Sequence, residues 1–269
     1  MRLISIDDVQ YLQLELMKKL HAFLGANNIR YYLIAGSALG AVRHSGFIPW
    51  DDDIDIGMFR EDYERFIQLS SSFDGGYDIV NYRNAENCDF GLTRIYFPNT
   101  YIDDSAISNT KLDKRLYFDA FPLDNVPDSE DERISYEKKI RQKKILLSRV
   151  DVRDYNSKKY ALVVKRVYSL VLTPFRQSIL RSFDMLMRKY ENTDTRFVCS
   201  LCSQYSFKKQ VMPREVYGEP TLHTFEDVEF YVPEKIDDYL TTLYGADYMK
   251  VPPVEKRRKG HDIYVTNED

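Results

Sequence analysis

Ile34-Ala-Gly-Ser-Ala-Leu-Gly-Ala-Val-Arg-His-Ser-Gly-Phe-Ile-Pro-Trp-Asp-Asp-Asp-Ile-Asp-Ile-Gly-Met58 sets a turn of small residues beside a dense run of carboxylates, all bounded by apolar and β-branched sequence. An extended chain over Asp51–Met58 alternates its side chains between two faces, so Asp51, Asp53 and Asp55 project together while Ile54 and Ile56 turn to a core. Two unit charges ~4 Å apart at an effective dielectric of ~20 repel by about 4 kcal/mol. Such groups must take up protons, spread into water or bind a cation, and a divalent metal is the simplest answer.

Gly36-Ser37 followed by Asp53-Ile-Asp55-Ile has the form of a nucleotidyltransferase signature. A turn without side-chain bulk approaches phosphates closely, and two alternate strand carboxylates hold a metal. That fold needs a third carboxylate on a neighbouring strand. Asp119, alone among apolar residues in Leu116-Tyr-Phe-Asp-Ala-Phe121, fits, because an unpartnered carboxylate there is costly to bury. An EF-hand loop counted from Asp51 fails, since its sixth position is Ile56 and Gly57 comes one late. The Asp-x-Asp site of a nucleotide-sugar glycosyltransferase uses the same spacing and remains the rival, although it requires neither Gly-Ser upstream nor Asp119 downstream.

Upstream, Ser5-Ile-Asp-Asp8 resembles a capping box, and Ile6, Val9, Leu12, Leu16 and Leu20 recur at helical spacing until Asn27-Asn28. Ile29–Ala35 reads as a strand and Ala38–Arg43 as a short helix. Downstream, Arg60–Phe73 reads as a helix, followed by strands over Tyr77–Tyr82, Gly91–Phe97, Tyr101–Ile107 and Leu116–Phe121, which together predict a mixed sheet. Asp124–Glu132 has the composition of a linker. Thr224–Val232 is strand-like, and Pro233 opens a helix that Gly245 ends.

The net charge of −4 hides a segregation: Arg133–Lys189 carries sixteen Lys or Arg against four acids, a block of +12, which leaves −16 elsewhere. Such a block faces an anionic partner, with lipid headgroups, a polyanionic substrate and nucleic acid as the candidates. Within it, Ala161–Leu172 is almost wholly apolar, and Phe175, Ile179, Phe183, Leu186 and Met187 follow at helical spacing. Two core helices with a solvated basic face, or an interfacial pair with snorkelling basic residues, both satisfy this pattern. The first residues lack an apolar leader and no run is long enough to span a bilayer, so a cytoplasmic chain is expected. Cys88, Cys199 and Cys202 are too few and too odd in number for a disulfide framework.

At these residues the sequence resembles the LicD family, bacterial phosphocholine transferases related to fukutin and fukutin-related protein. The likeness runs through Gly36–Met58 and Arg60-Glu-Asp-Tyr-Glu-Arg-Phe66 almost position by position. It returns at Phe118-Asp-Ala-Phe-Pro-Leu-Asp124 and across Val232–His261. Ser37 stands where many members carry Thr and keeps the hydroxyl. The resemblance spans nearly the whole chain except the basic helical segment and implies a nucleotidyltransferase-like core; with the strands and helices read above, the expected class is α+β, a mixed sheet flanked by helices plus a basic helical insert. The expected division is residues 1–127 for the core, 128–195 for the insert and 196–269 for a part that packs back on the core.

The implied chemistry is transfer of phosphocholine from CDP-choline, or of another CDP-linked polyol phosphate, to a sugar hydroxyl of a glycan precursor such as lipid-linked teichoic acid. CMP leaves, and Mg²⁺ is the implied cofactor. Matching positions make Asp53, Asp55 and Asp119 the metal-binding and catalytic set. Gly36, Ser37, Arg43, His44 and Arg94 are the substrate-binding candidates, and His261 matches a family position of unassigned role. Peripheral contact with an anionic membrane, and no nucleic-acid partner, complete the expectation.

Overall fold

The computed structural model describes residues 1–86, 88, 90–103, 113–150, 159–257 and 260–266, and of 159–162 and 165 the backbone alone. β1 (Arg2–Leu3) leads into α1 (Ile6–Ala26), which opens on the expected capping box. The Ser5 hydroxyl accepts from the Asp8 amide at 3.1 Å, and the Asp8 carboxylate accepts from the Ser5 N–H at 3.0 Å. Next come β2 (Tyr32–Leu33), α2 (Ala35–His44), β3 (Asp55–Phe59), α3 (Arg60–Leu69), β4 (Asp78–Val80), β5 (Thr93–Tyr96), β6 (Thr100–Asp103) and β7 (Tyr117–Val126). Three long helices follow, α4 (Glu130–Ser148), α5 (Lys159–Leu172) and α6 (Arg176–Met187). The C-terminal part holds β8 (Phe197–Cys199), α7 (Phe207–Gln210), β9 (Met212–Pro213), α8 (Arg214–Tyr217), β10 (Thr221–Phe225), β11 (Val228–Val232), α9 (Ile236–Tyr244) and β12 (Asp262–Val265).

The class is α+β with a mixed sheet. Its central order is β2-β3-β7-β5-β4, parallel only between β3 and β7, and β8 joins the far end of β7. β3 is buried except at Asp55, and β7 alternates, with Phe118 and Ala120 buried on one face and Tyr117, Asp119 and Phe121 on the other. A separate sheet, β1-β12-β6, ties the first strand to the last.

Several boundaries moved for identifiable reasons. The expected strand over Ile29–Ala35 shrinks to Tyr32–Leu33, because Ala35 adopts a left-handed φ of 48° and starts α2 at once. The anticipated Gly36-Ser37 turn is therefore the first turn of a helix. The acidic strand begins at Asp55 rather than Asp51. Gln10 and Gln13 of α1 hold the preceding loop: the Gln10 amide donates to the carbonyls of Ile48 (3.3 Å) and Asp51 (2.9 Å), and that of Gln13 to Asp52 (3.3 Å) and Tyr117 (3.0 Å).

Asp124–Val126, expected in a linker, continues β7 and pairs with β8. Thr224–Val232 is not one strand but the end of β10, the turn and the whole of β11 in the β10–β11 hairpin, with Glu226 at φ 54°. The Tyr101–Ile107 reading is described only as far as Asp103, and its remainder lies outside the described residues.

The main core joins α1, α2, α3 and α9 to the sheet. A second cluster, Val126, Tyr136, Ile140, Phe183, Met187, Cys199 and Leu201, lies among β7, α4, α6 and β8. Between the clusters Arg60, at the start of α3, forms a bidentate pair with Asp124 (2.7 and 2.8 Å) and reaches Glu64 and Asp184 at 3.2 and 3.3 Å. Cys199 and Cys202 are packed thiols, the latter donating to the Gly91 carbonyl at 2.9 Å, and burial pushes both pKa values up.

Candidate active site

Strand register builds the centre. Asp55 pairs with Asp119 across the parallel β3–β7 ladder, and Asp119 pairs with Arg94 across the antiparallel β7–β5 ladder. Neighbours in such a row share a face, with Cβ atoms about 5 Å apart. The Arg94 Nε donates to Asp119 Oδ1 at 2.9 Å, while its guanidinium lies between the rings of Phe90 (4.2 Å) and Tyr117 (3.9 Å). Two aromatic faces and a carboxylate thus fix one cation beside the acidic row.

The start of α2 meets this row from the β2 side. The Ser37 hydroxyl accepts from the Asp55 N–H at 2.8 Å, which binds the helix to β3. A Cβ on Gly36 would come within 2.8 Å of Asp51 Oδ2, so glycine lets that carboxylate lie directly against the helix, where a larger residue would push it aside. The Ala35 N–H donates to the Tyr239 hydroxyl at 2.9 Å, and Tyr205 and Tyr244 share a hydroxyl contact of 3.1 Å. Burial raises the pKa of Tyr205, and the charges of Asp55, Asp51 and Asp53 add to it, which ties this tyrosine electrostatically to the cluster.

Asp55 is the focus of the electrostatics. Desolvation, then the charges of Asp53, Asp119 and Asp51, push its carboxyl well above the ordinary range, and Arg94 only partly offsets them. Carboxylate oxygens of Asp51, Asp52 and Asp53 also lie within 4.8 Å of one another. That triplet is adjacent in sequence, and Asp52 is already engaged: its Oδ2 accepts from the His261 N–H at 2.8 Å and lies 2.9 Å from His261 Nδ1. Burial opposes the charge on Asp52, but the His261 bonds outweigh it and hold its pKa below the ordinary value. Asp53, Asp119 and Asp51 all press on Asp55, and a cation held among them would relieve that repulsion. Their donors are all hard oxygens, which fit Mg²⁺ or Mn²⁺.

Of the residues singled out in the sequence, Gly36, Ser37, Asp53, Asp55, Asp119 and Arg94 come together. Arg43 and His44 do not join them. They lie at the opposite end of α2, about 12 Å of helix rise from Ala35. There the Arg43 Nε donates to His44 Nε2 at 2.9 Å and its Nη1 to the Tyr248 carbonyl at 3.0 Å, while His44 packs edge-on to Trp50. Three contributions escaped the sequence reading. Gln13 carried a signal, a buried amide on the same helical face as Val9, Leu16 and Met17. The tyrosines carried none in a chain with 21 of them, and the role of His261 depends on a contact 209 residues away.

Residues 28–144, which hold the whole carboxylate row, match the family model for the LicD/FKTN/FKRP nucleotidyltransferase domain. That likeness to the LicD family covers somewhat less than half of the chain. Over 266 residues, 97% of each chain, the protein is 28% identical to the lipopolysaccharide cholinephosphotransferase LicD of Haemophilus influenzae. It is 46% identical over 52 residues to the ribitol 5-phosphate transferase FKRP of Mus musculus and Homo sapiens, a stretch covering 19% of this chain and 10% of those proteins. An uncharacterized protein of Rickettsia prowazekii is 45% identical over 73 residues, 27% of each chain. The match to the Haemophilus LicD reaches beyond the domain into the part that supplies Tyr205, Tyr244 and His261.

Proposed function

We propose that this protein, like the LicD proteins it resembles, transfers phosphocholine from CDP-choline to a sugar hydroxyl of a cell-surface glycan precursor and releases CMP. The observation that carries the reading is the Asp55–Asp119–Arg94 row, closed on one side by the first turn of α2. Asp53, Asp55 and Asp119 would hold Mg²⁺, which when bound supplies charge neutralisation and Lewis acidity at the donor phosphates. Gly36 and Ser37 present backbone N–H groups at a helix start, where anions are favoured. Arg94, held between its two rings, offers a fixed positive charge as the transferring phosphoryl group gains negative charge. The acceptor oxygen bonds to the choline-bearing phosphorus, the bond to the bridging oxygen breaks, and CMP departs. The hydroxyl proton passes to a cluster carboxylate, for which Asp119 is the choice. A lipid-linked acceptor, such as a teichoic acid precursor met at the cytoplasmic face of a membrane, completes the proposal.

The similarity to the FKRP proteins favours one second reading, a polyol phosphate donor on the same machinery. A thermal-shift screen of CDP-choline, CDP-ribitol, CDP-glycerol and nucleotide sugars, with and without Mg²⁺, separates the two. Selective stabilisation by CDP-choline, followed by CMP release in the presence of glycan precursor, is the expected result. Stabilisation by a nucleotide sugar alone refutes phosphoryl transfer. Asp55→Asn and Asp119→Asn should each lower CMP release by about 100-fold or more, and full activity in both would remove the row from the mechanism.

A further inference from the structure

Helix α5 leaves its apolar side chains uncovered. Val163, Val167, Leu170 and Val171 follow the i, i+4, i+7, i+8 spacing of one helical stripe, and all are exposed, Leu170 at 76%. Phe175 just beyond the helix and Met185 on α6 are exposed at 59% and 74%. None of the described side chains of α5 is buried, whereas α6 buries Ile179, Leu180, Phe183 and Met187. Of the two helices expected from the sequence, α6 is therefore a core helix and α5 is not. The arm is nonetheless fixed to the protein: the Ser169 hydroxyl donates to the Val150 carbonyl at 2.5 Å, and the Gln177 amide donates to the Ala85 carbonyl at 2.8 Å.

The charge of the segment that carries this stripe argues for what covers it. Arg166 on α5, Arg181 on α6, Lys189 just after it, and Lys138, Lys139 and Arg141 on α4 are all exposed, in a segment of net charge +12. A second copy of the chain would bring two such segments together and be repelled, while an anionic surface is attracted. At 14 residues α5 is about 21 Å long, short of the ~30 Å hydrocarbon core, and no helix among the described residues is long and apolar enough to cross a membrane. A helix of this kind lies in the headgroup region with apolar side chains down and basic ones among the phosphates.

We propose that α5, with the exposed edge of α6, is a docking surface for an anionic lipid bilayer. The surface is independent of the donor's identity, and its test needs no turnover. The full-length protein is floated with vesicles of phosphatidylglycerol and phosphatidylcholine in equal parts, and with phosphatidylcholine alone, in low and high salt. Binding to the anionic vesicles is expected, weakened by high salt and much reduced on the neutral ones.

The triple variant Val163→Glu/Val167→Glu/Leu170→Glu puts strong helix formers at exposed positions, and circular dichroism checks that it folds. It should lower the partition coefficient by about tenfold or more. Arg166→Glu/Arg181→Glu should do so through charge alone, which covers the case of a misfolded triple variant. Equal binding to neutral and anionic vesicles, or binding unchanged in both variants, overturns the proposal. So does a self-association seen by analytical ultracentrifugation without vesicle binding, which would assign the stripe to a second copy.

Discussion

Gly36 and Gly40 lie one helical turn apart in α2 and serve different purposes. A Cβ at Gly36 would meet a carboxylate end, Asp51 Oδ2 at 2.8 Å, whereas one at Gly40 would meet backbone, the Gly46 carbonyl at 2.4 Å. Gly36→Ala is therefore expected to displace Asp51 and lower turnover by about tenfold or more, while the unfolding free energy changes by less than ~1 kcal/mol because alanine favours the helix. Gly40→Ala forces the helix from the loop and should cost about 2 kcal/mol or more of stability. Denaturant unfolding beside CMP release tests both, and a Gly36→Ala protein of full activity would show that Asp51 adapts. The small-residue character of this stretch was plain in the sequence, but the different duties of the two glycines were not, because each depends on a loop that packs back from outside the helix.

At the scale of elements, α3, β7 and α6 meet through charge. Arg60, buried at the positive end of the α3 dipole, sits where a cation is disfavoured unless acids surround it, and Asp124, Glu64 and Asp184 do so. Arg60→Leu leaves Asp124 buried and unpaired and should destabilise the fold by about 3–5 kcal/mol, whereas Arg60→Leu/Asp124→Leu should recover much of that. A double variant no more stable than the single one would show that the pair does more than neutralise itself.

Glu64 gives this network a pH dependence. Burial raises its pKa, but hydrogen bonds from Arg83 and the charges of Arg83, Arg60 and Arg188 outweigh burial and leave it depressed. A depressed carboxyl pKa stabilises the fold above its unfolded value, and that stabilisation is lost as pH falls through the folded one. The melting temperature should therefore drop below about pH 5, and drop less steeply in Glu64→Gln. From sequence, Asp124 looked like part of an acidic linker; composition could not reveal a partner 64 residues earlier.

Across the whole molecule, the readings that succeeded rest on local physics. The Ser5 cap, the alternation around Asp119 and the Gly245 stop, which adopts a φ of 95°, are each written within a few residues. The chain also separates its charges on a large scale, and the +12 block coincides with α4, the exposed α5 and α6. What escaped were the particular long-range contacts by which the C-terminal part closes on the rest. β12 lies between β1 and β6, and the residue just before it, His261, reaches Asp52, while Arg257 stacks on Trp50 at 4.2 Å. His261→Ala should loosen the acidic loop, lowering turnover about tenfold with a melting shift within roughly 4 °C. A larger melting shift with unchanged kcat would make the contact purely structural.

That closure also sets a timetable for making the protein. Asp52 and His261 are separated by 209 residues, so at ~5–20 residues per second a ribosome needs about 10–40 s to deliver the histidine after the aspartate. Throughout that interval the acidic loop exists without its latch, and β1 and β6 wait for the strand that joins them. The emerging chain therefore carries an unfinished carboxylate cluster, and the centre is completed only after His261 has been made.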